Sequence, residues 1–97
     1  MAYASTAAVV REFEDSAFLD EVLASRIGVR LRALRLERGL TGEQLALRMG
    51  LPGFARSHVF RLEAGKHLAT VRLLHRAAHA LGVTLSELLE GVDEVRT

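Results

Sequence analysis

Apolar residues near the start of the chain recur every three or four positions, and this spacing is the strongest constraint on the fold. The series comprises Leu19, Leu23, Ile27, Leu31 and Leu34. Residues three and four apart lie on the same side of a helix, so the spacing predicts a helix with one buried face. Asp15 or Ser16 can cap its start and Gly39 suits its end. Gly28 weakens its middle by about 1 kcal/mol relative to alanine, which leaves one helix or two helices open.

Capping and turn residues predict two short helices in the middle of the chain. Thr41 and Gln44 form a capping-box pattern, which opens a second helix that ends near Gly50. The sequence Leu51-Pro52-Gly53 is typical of a turn. A third helix is predicted over residues 54–64.

Two more helices are predicted in the last third of the chain. Thr70 caps a fourth helix that ends at Leu81, and Thr84 with Glu87 forms a second capping box that opens a fifth. The predicted fold is therefore all-α, with five helices and no strand between residues 27 and 89. Ten residues form the predicted core: Leu31, Leu34, Leu45, Ala46, Val59, Leu62, Leu74, Ala78, Leu81 and Leu88.

Ninety-seven residues allow one small domain with a short arm. We predict an acidic, partly helical N-terminal arm over residues 1–26, a helical domain over 27–91 and a short tail over 92–97. Residues 16–26 are expected to be helical and to pack Leu19 and Leu23 against the domain or a second protomer. Residues 1–14 suit either a helical turn or an edge strand.

The net charge of +1 conceals a segregation of charges along the chain. Residues 1–25 carry one basic and five acidic side chains, residues 26–82 carry eleven basic and three acidic ones, and the remainder carries one basic and four acidic ones. A basic middle between acidic ends is a candidate footprint for a polyanion. A solvated protein surface is the alternative interpretation.

Several classes of protein are disfavoured by what the sequence lacks. Without cysteine there is no disulfide, thiolate nucleophile or Cys-based zinc site. No apolar run approaches the roughly 20 residues of a membrane span, and no signal peptide is evident, so we expect a cytoplasmic protein. His75 and His79 are four apart but lack a third ligand, so neither a metal nor another cofactor is predicted. No catalytic fingerprint is present either, and an enzyme is not expected.

The third predicted helix has a narrow apolar face formed by Ala55, Val59 and Leu62. Its other side carries Arg56, Ser57, Phe60 and Arg61. Such a helix can enter the major groove of DNA, where arginine donates two hydrogen bonds to guanine. The alternative is an exposed helix whose arginines only increase solubility.

Residues 27–89 resemble the Cro/cI-type helix-turn-helix domain, also called the XRE family. The resemblance lies in the order and spacing of five segments: 27–35, 39–41, 44–46, 61–66 and 80–89. It implies a five-helix domain that binds duplex DNA, usually as a dimer, with the third helix in the major groove.

The resemblance also implies roles for individual residues. Arg35 and Glu63 correspond to a partly buried ion pair between the first and third helices, while Lys66 and Arg72 correspond to phosphate or minor-groove contacts. The complete set of predicted DNA-binding residues is Thr41, Arg56, Ser57, Phe60, Arg61, Lys66 and Arg72.

Three features depart from the family pattern. The segment from Gly50 to Glu63 is three residues longer than usual, Gly42 stands where glutamine is frequent, and Phe60 replaces a small polar residue. Because Phe60 has no hydrogen-bonding group, it can pack only on a thymine methyl group or on a protein partner.

These features favour a sequence-specific transcriptional regulator that binds a two-fold operator in duplex DNA as a homodimer. An antitoxin or accessory subunit, which uses the fold mainly to bind a toxin or another regulator, is the first alternative. The acidic arm, Phe60, Leu68 and Leu73 favour that alternative. A non-specific architectural DNA-binding protein is the second alternative.

Overall fold

The computed structural model describes residues 6–94, with side chains described for residues 18–94. Its elements are α1 (Thr6–Glu37), α2 (Gly42–Arg48), a 3₁₀ turn (Gly53–Ala55), α3 (His58–Glu63), α4 (Val71–Leu81) and α5 (Leu85–Leu88). This part of the chain contains no strand, so the predicted all-α fold with five helices is confirmed. None of its helices is long and apolar enough to cross a membrane.

The helix caps follow from the residues that the sequence places there. Thr41 and Gln44 form a complete capping box: the Gln44 N–H donates to Thr41 Oγ1 at 3.1 Å, and the Thr41 N–H donates to Gln44 Oε1 at 2.8 Å. Thr84 and Glu87 repeat this arrangement at the start of α5. The Thr70 hydroxyl accepts a backbone N–H at the start of α4. All three predicted caps are thus present.

The first helix is longer than predicted. It begins at Thr6, upstream of the caps expected at Asp15 and Ser16, and continues without a break to Glu37. The predicted boundary between residues 26 and 27 therefore lies inside one continuous helix. The first five residues of the arm lie outside the described residues, as do the last three residues of the tail.

Gly28 does not divide α1 but lets α3 approach it. A Cβ atom at Gly28 would lie 2.5 Å from the carbonyl oxygens of Leu62 and Glu63. The end of α3 therefore rests directly on the backbone of α1. The lower helix propensity of glycine is tolerated because any larger residue would separate the two helices.

The third helix is shorter than predicted. It begins at His58, and the 3₁₀ turn occupies most of the place of the expected first turn. The Ala55 N–H donates to the Pro52 carbonyl at 2.8 Å, a three-residue hydrogen bond that tightens the backbone ahead of α3. Arg56 and Ser57 therefore precede α3 and are not part of it.

The core lies where all five helices meet. All ten predicted core residues are buried, which confirms the predicted core. Val92 is also buried, so the first residue of the predicted tail packs in the core. In α1, Leu23 packs against the core, whereas Leu19 is exposed and is not packed against the core among the described residues.

Arginines on α1 bind backbone carbonyls at the ends of other helices. Arg30 donates to the Glu87 carbonyl at 2.9 Å, and Arg38 donates to the carbonyl of Leu81, the last residue of α4. Arg26 donates to two carbonyls of the C-terminal turn. The last carbonyls of a helix lack partners within it and carry partial negative charge, so these cations hold α4 and α5 against α1.

Candidate nucleic-acid interface

A partly buried ion pair fixes α3 against α1. Arg35 Nε lies 2.9 Å from Glu63 Oε2, and Arg35 Nη2 lies 2.7 Å from Glu63 Oε1. The two side chains are only 12% and 7% exposed, and Arg35 Nη1 also donates to the Leu40 carbonyl at 2.8 Å. The hydrogen bonds to Glu63 raise the pKa of the Arg35 guanidinium. One guanidinium thus joins α1, the turn after it and the end of α3.

Arg56 and Ser57 lie at the entrance to α3. Ser57 is exposed, and its side chain makes no capping hydrogen bond. Arg56 is half-buried and donates from Nη1 to Glu43 Oε1 on α2 at 3.1 Å. Its Nε is buried and has no hydrogen-bond partner among the described residues. The Glu43 carboxylate therefore orients the Arg56 side chain from one end.

Phe60 and Arg61 are exposed on α3, while Val59 and Leu62 on its other side are buried. The Phe60 ring, 56% exposed, lies over the start of α2. A Cβ atom at Gly42 would lie only 2.6 Å from Phe60 Cε1. The aromatic ring thus occupies the space that a side chain at position 42 would need.

Thr41 lies in the same shallow cleft as Phe60. Residues from the end of α1, the following turn and the start of α2 line this cleft beside the Phe60 ring. The structure therefore brings together Thr41, Phe60 and, through Glu43, Arg56.

Lys66 lies in the loop after α3, close to acidic residues of α1. Lys66 and His67 line a small cleft with Asp20 and Glu21. These two acidic residues of the arm thus lie beside a predicted phosphate contact. The nearby carboxylates lower the electrostatic attraction of this loop for phosphate.

Arg72 is exposed in the first turn of α4 and lines a separate cleft that also contains His58 and Arg76. The His58 and His67 rings meet edge to face with their centroids 6.3 Å apart, which links the start of α3 to the loop after it. Lys66 and Arg72 thus lie in different clefts beyond α3.

The two histidines on α4 form no evident metal site. His75 and His79 are both exposed. Among the residues that the structure describes, no group of three or more His, Cys, Asp or Glu side chains could hold a metal ion.

The basic middle of the sequence is only partly available to a ligand. Of its eleven lysines and arginines, four on α1 are engaged within the chain: Arg26, Arg30, Arg35 and Arg38. The charge count therefore overstated the size of the basic footprint, because these cations hold helices together.

Two residues of this surface were missed in the sequence. Glu43 is thirteen positions from Arg56, and no local pattern signals their contact. In the sequence, Gly42 was noted only because glutamine is frequent at its position in the family. A glycine in the first turn of a helix is nevertheless an informative signal. It indicates that another group approaches the backbone closely.

Three comparisons with known proteins show what this chain is similar to. A helix-turn-helix family profile matches residues 31–88. An HTH-type transcriptional regulator of Sinorhizobium fredii, y4dJ, is 38% identical over 68 residues, which are 70% of this chain and 84% of that protein.

Two solved structures share the fold. The restriction-modification controller protein C.AhdI from Aeromonas hydrophila has a TM-score of 0.62 and 35% identity, over 67% of this chain and 94% of that one. The hypothetical transcription factor NHTF from Neisseria has a TM-score of 0.63 and 28% identity, over 69% of this chain and 74% of that one. The chain belongs to the Cro/cI-type (XRE) family of helix-turn-helix transcriptional regulators.

Proposed function

We propose that this protein binds a specific two-fold operator in duplex DNA as a homodimer, with α3 in the major groove. The observation that carries the proposal is the Arg35–Glu63 ion pair, which fixes one side of α3 and leaves Phe60 and Arg61 exposed on another. A rigidly held helix can present side chains to base edges at a defined depth. The proposed role is binding without catalysis or a cofactor, in the cytoplasm.

Arg56, Ser57 and Arg61 are the proposed hydrogen-bonding readers of bases. Arginine donates two hydrogen bonds to the O6 and N7 atoms of guanine, and serine serves either a base or a phosphate. The contact with Glu43 supports this role for Arg56, because an oriented guanidinium loses less freedom on binding.

Phe60 is the proposed reader of thymine. Its ring packs against Gly42 and remains more than half exposed beside Arg61. Within the major groove, the thymine methyl group is the apolar feature that such a ring can contact.

Thr41, Lys66 and Arg72 are the proposed phosphate contacts. All three are exposed and lie around α3, at the start of α2, in the loop after α3 and at the start of α4. Phosphate contacts set the register of a protein on DNA and carry no base preference of their own.

A protein partner is the second candidate ligand of this surface. Phe54, Phe60 and Leu68 are exposed, which favours a partner such as a toxin or another regulator. Leu73, which seemed in the sequence to support this alternative, packs partly against the core and supports it less.

Selection from random duplex DNA, followed by sequencing of the bound fragments, tests the proposal. We expect the enriched fragments to share one motif with two-fold symmetry. Equal binding of all duplexes would instead indicate a non-specific architectural protein, and the absence of binding would favour the protein-partner candidate.

A Phe60→Ala variant distinguishes binding of a specific operator from binding of a protein partner. Loss of the selected motif in a folded variant would support base reading. Loss of a copurifying protein, with DNA binding unchanged, would support the partner. Circular dichroism provides the control for folding.

A further inference from the structure

Helix α1 has an apolar stripe on the side that faces away from the core. Phe18, Val29 and Leu36 are 65%, 65% and 57% exposed. At 100° per residue they cluster within about 20° of one another, opposite the buried Ile27 and Leu34. The helix is therefore apolar on two opposite sides, and among residues 18–94 only the side with Ile27 and Leu34 is covered.

The stripe has the spacing of a helix-pairing surface. Its positions alternate between steps of four and three residues, as the a and d positions of a heptad do. We call it the outer face of α1, and it consists of Phe18, Val22, Ser25, Val29, Arg32 and Leu36. At a rise of 1.5 Å per residue it is about 27 Å long.

Most of this surface lies outside the family match. The matched region begins at residue 31, and four of the six outer-face residues precede it. The 53 Å length of the molecule, against widths of 31 and 21 Å, reflects the 32-residue helix α1. The stripe is therefore carried mainly by the part of the long first helix that precedes the family match.

We propose that the outer face of α1 is an interface between two copies of this chain, packed antiparallel. The occupant follows from the charge of the helix. Arg26, Arg30 and Arg35 are engaged within the chain, but Arg32 is exposed near the end of the outer face, and Asp20 and Glu21 are exposed near its start. An antiparallel pair sets Glu21 of each copy near Arg32 of the other, whereas a parallel pair sets Arg32 against Arg32.

The antiparallel register also matches the side chains. With the two-fold axis near residue 27, Phe18 lies opposite Leu36 of the second copy and Ser25 lies opposite Val29. Such a pairing is self-complementary, as a two-fold interface requires. Each large apolar residue of the outer face is then covered.

Arg32 fits the same register although it interrupts the apolar stripe. It lies opposite Val22 of the second copy, next to the exposed Glu21, with which it can form an ion pair. Arg26 lies near the two-fold axis, where like charges would meet. Its guanidinium is instead bound to the carbonyls of Val92 and Glu94.

This inference specifies the interface of the homodimer in the proposed function but is tested without DNA. Sedimentation equilibrium of the full chain over a range of concentrations should give a dimer. Val29→Glu should raise the dimer dissociation constant at least about tenfold, because two unpaired carboxylates would be buried per dimer. Val71→Glu is the matched control: this valine is also exposed but lies on α4, and its variant should dimerise like the wild type.

A monomer at every concentration would overturn the inference. So would a dimer that Val29→Glu leaves intact, even if that dimer binds a two-fold operator and thereby supports the proposed function. Conversely, a dimer that Val29→Glu disrupts but that binds no DNA would support the interface and contradict the proposed function.

Disulfide cross-linking tests the orientation, because the native chain has no cysteine. A mixture of Phe18→Cys and Leu36→Cys chains, equilibrated and then oxidised, should give a cross-linked heterodimer. Each variant alone should cross-link far less, since residue 18 of one copy is distant from residue 18 of the other in an antiparallel pair. Efficient cross-linking of Phe18→Cys alone would indicate a parallel pair and overturn the proposed arrangement.

Discussion

Gly42 and Phe60 share one space: a Cβ atom at position 42 would lie 2.6 Å from Cε1 and 2.7 Å from Cζ of the Phe60 ring. Both residues depart from the pattern of the family, and the structure shows why they occur together. The family frequently has a longer side chain at the start of α2. This chain has Gly42 there, and the ring of Phe60 fills the space that such a side chain would occupy. A contact that a long polar side chain could make with DNA is thereby replaced by an apolar surface.

Gly42→Ala should weaken base reading without destabilising the fold. The clashing atoms belong to the end of an exposed side chain, so the ring can rotate away, and unfolding free energy should change by no more than about 1 kcal/mol. Replacement of the contacted thymine by deoxyuridine should weaken wild-type binding about fourfold, or about 0.8 kcal/mol, by removing one methyl contact. The same replacement should have little effect on Gly42→Ala or Phe60→Ala, as fluorescence anisotropy can measure. An equal response of all three proteins would contradict the prediction.

Gly28→Ala should destabilise the protein by about 1–3 kcal/mol, because its methyl group would meet backbone carbonyls that have no freedom to rotate away. Urea denaturation measures this effect. Gly53→Ala is the control, since nothing lies within 4 Å of a Cβ atom there. If Gly28→Ala were stabilising, as at an ordinary helix position, the described contact between α1 and α3 would be wrong.

Glu63→Ala should cost about 1–3 kcal/mol of unfolding free energy, because it leaves the partly buried Arg35 guanidinium without its charged partner. The double variant Arg35→Met with Glu63→Leu should cost less than this single change, since no buried charge is left unpaired. Denaturant unfolding of the two variants provides the comparison. A double variant less stable than Glu63→Ala would contradict this prediction. It would show that the ion pair contributes more free energy than the desolvation of its two charges costs.

Arg56→Ala and Lys66→Ala should affect DNA binding in different ways and thus serve as controls for each other. Loss of a guanine contact should cost about 1–3 kcal/mol on the selected motif and relax one base position. Loss of a phosphate contact should weaken all duplexes alike and reduce the salt slope by about one unit. Titrations at several salt concentrations, on selected and scrambled duplexes, distinguish the two. Identical profiles would contradict the assigned roles.

Wild-type stability should decrease in acid partly through Glu87. The Thr84 N–H donates to this carboxylate, which lowers the pKa of Glu87 in the folded state. The stabilising contribution of the ionised Glu87 carboxylate is therefore complete above the pKa of an unfolded glutamate, about 4.3. This contribution is lost as the pH falls through the lower folded-state pKa of Glu87. Glu87→Gln keeps the capping geometry but not the charge. Thermal unfolding from pH 6 to pH 2 should show a shallower loss of stability in this variant than in the wild type.

The fold could be predicted from the sequence where the signals are local. Thr41, Thr70 and Thr84 each cap a helix through a residue three positions further on, and the apolar spacing identified the buried side of each helix. The start of α3 was placed too early, because the hydrogen bond between Ala55 and Pro52 that forms the 3₁₀ turn leaves no periodic signature. The start of a helix depends on a few such hydrogen bonds and is therefore hard to predict. The buried side of a helix depends on many residues and is predicted more easily.

The sequence by itself therefore determined the number and order of the helices, the caps of α2, α4 and α5, and the core, since capping bonds and apolar spacing involve residues within about one turn of one another. Only the tertiary structure decided what Gly28, Gly42 and the arginines of α1 are for. The residues that they contact are distant in the sequence, so the spacing of residues along the chain does not reveal these contacts. Gly28 occurs within α1 because α3 packs closely against the helix backbone there, and only the tertiary structure shows this contact. The tertiary structure likewise showed that, within residues 18–94, one apolar side of α1 is exposed, because exposure depends on all the neighbours of a residue at once.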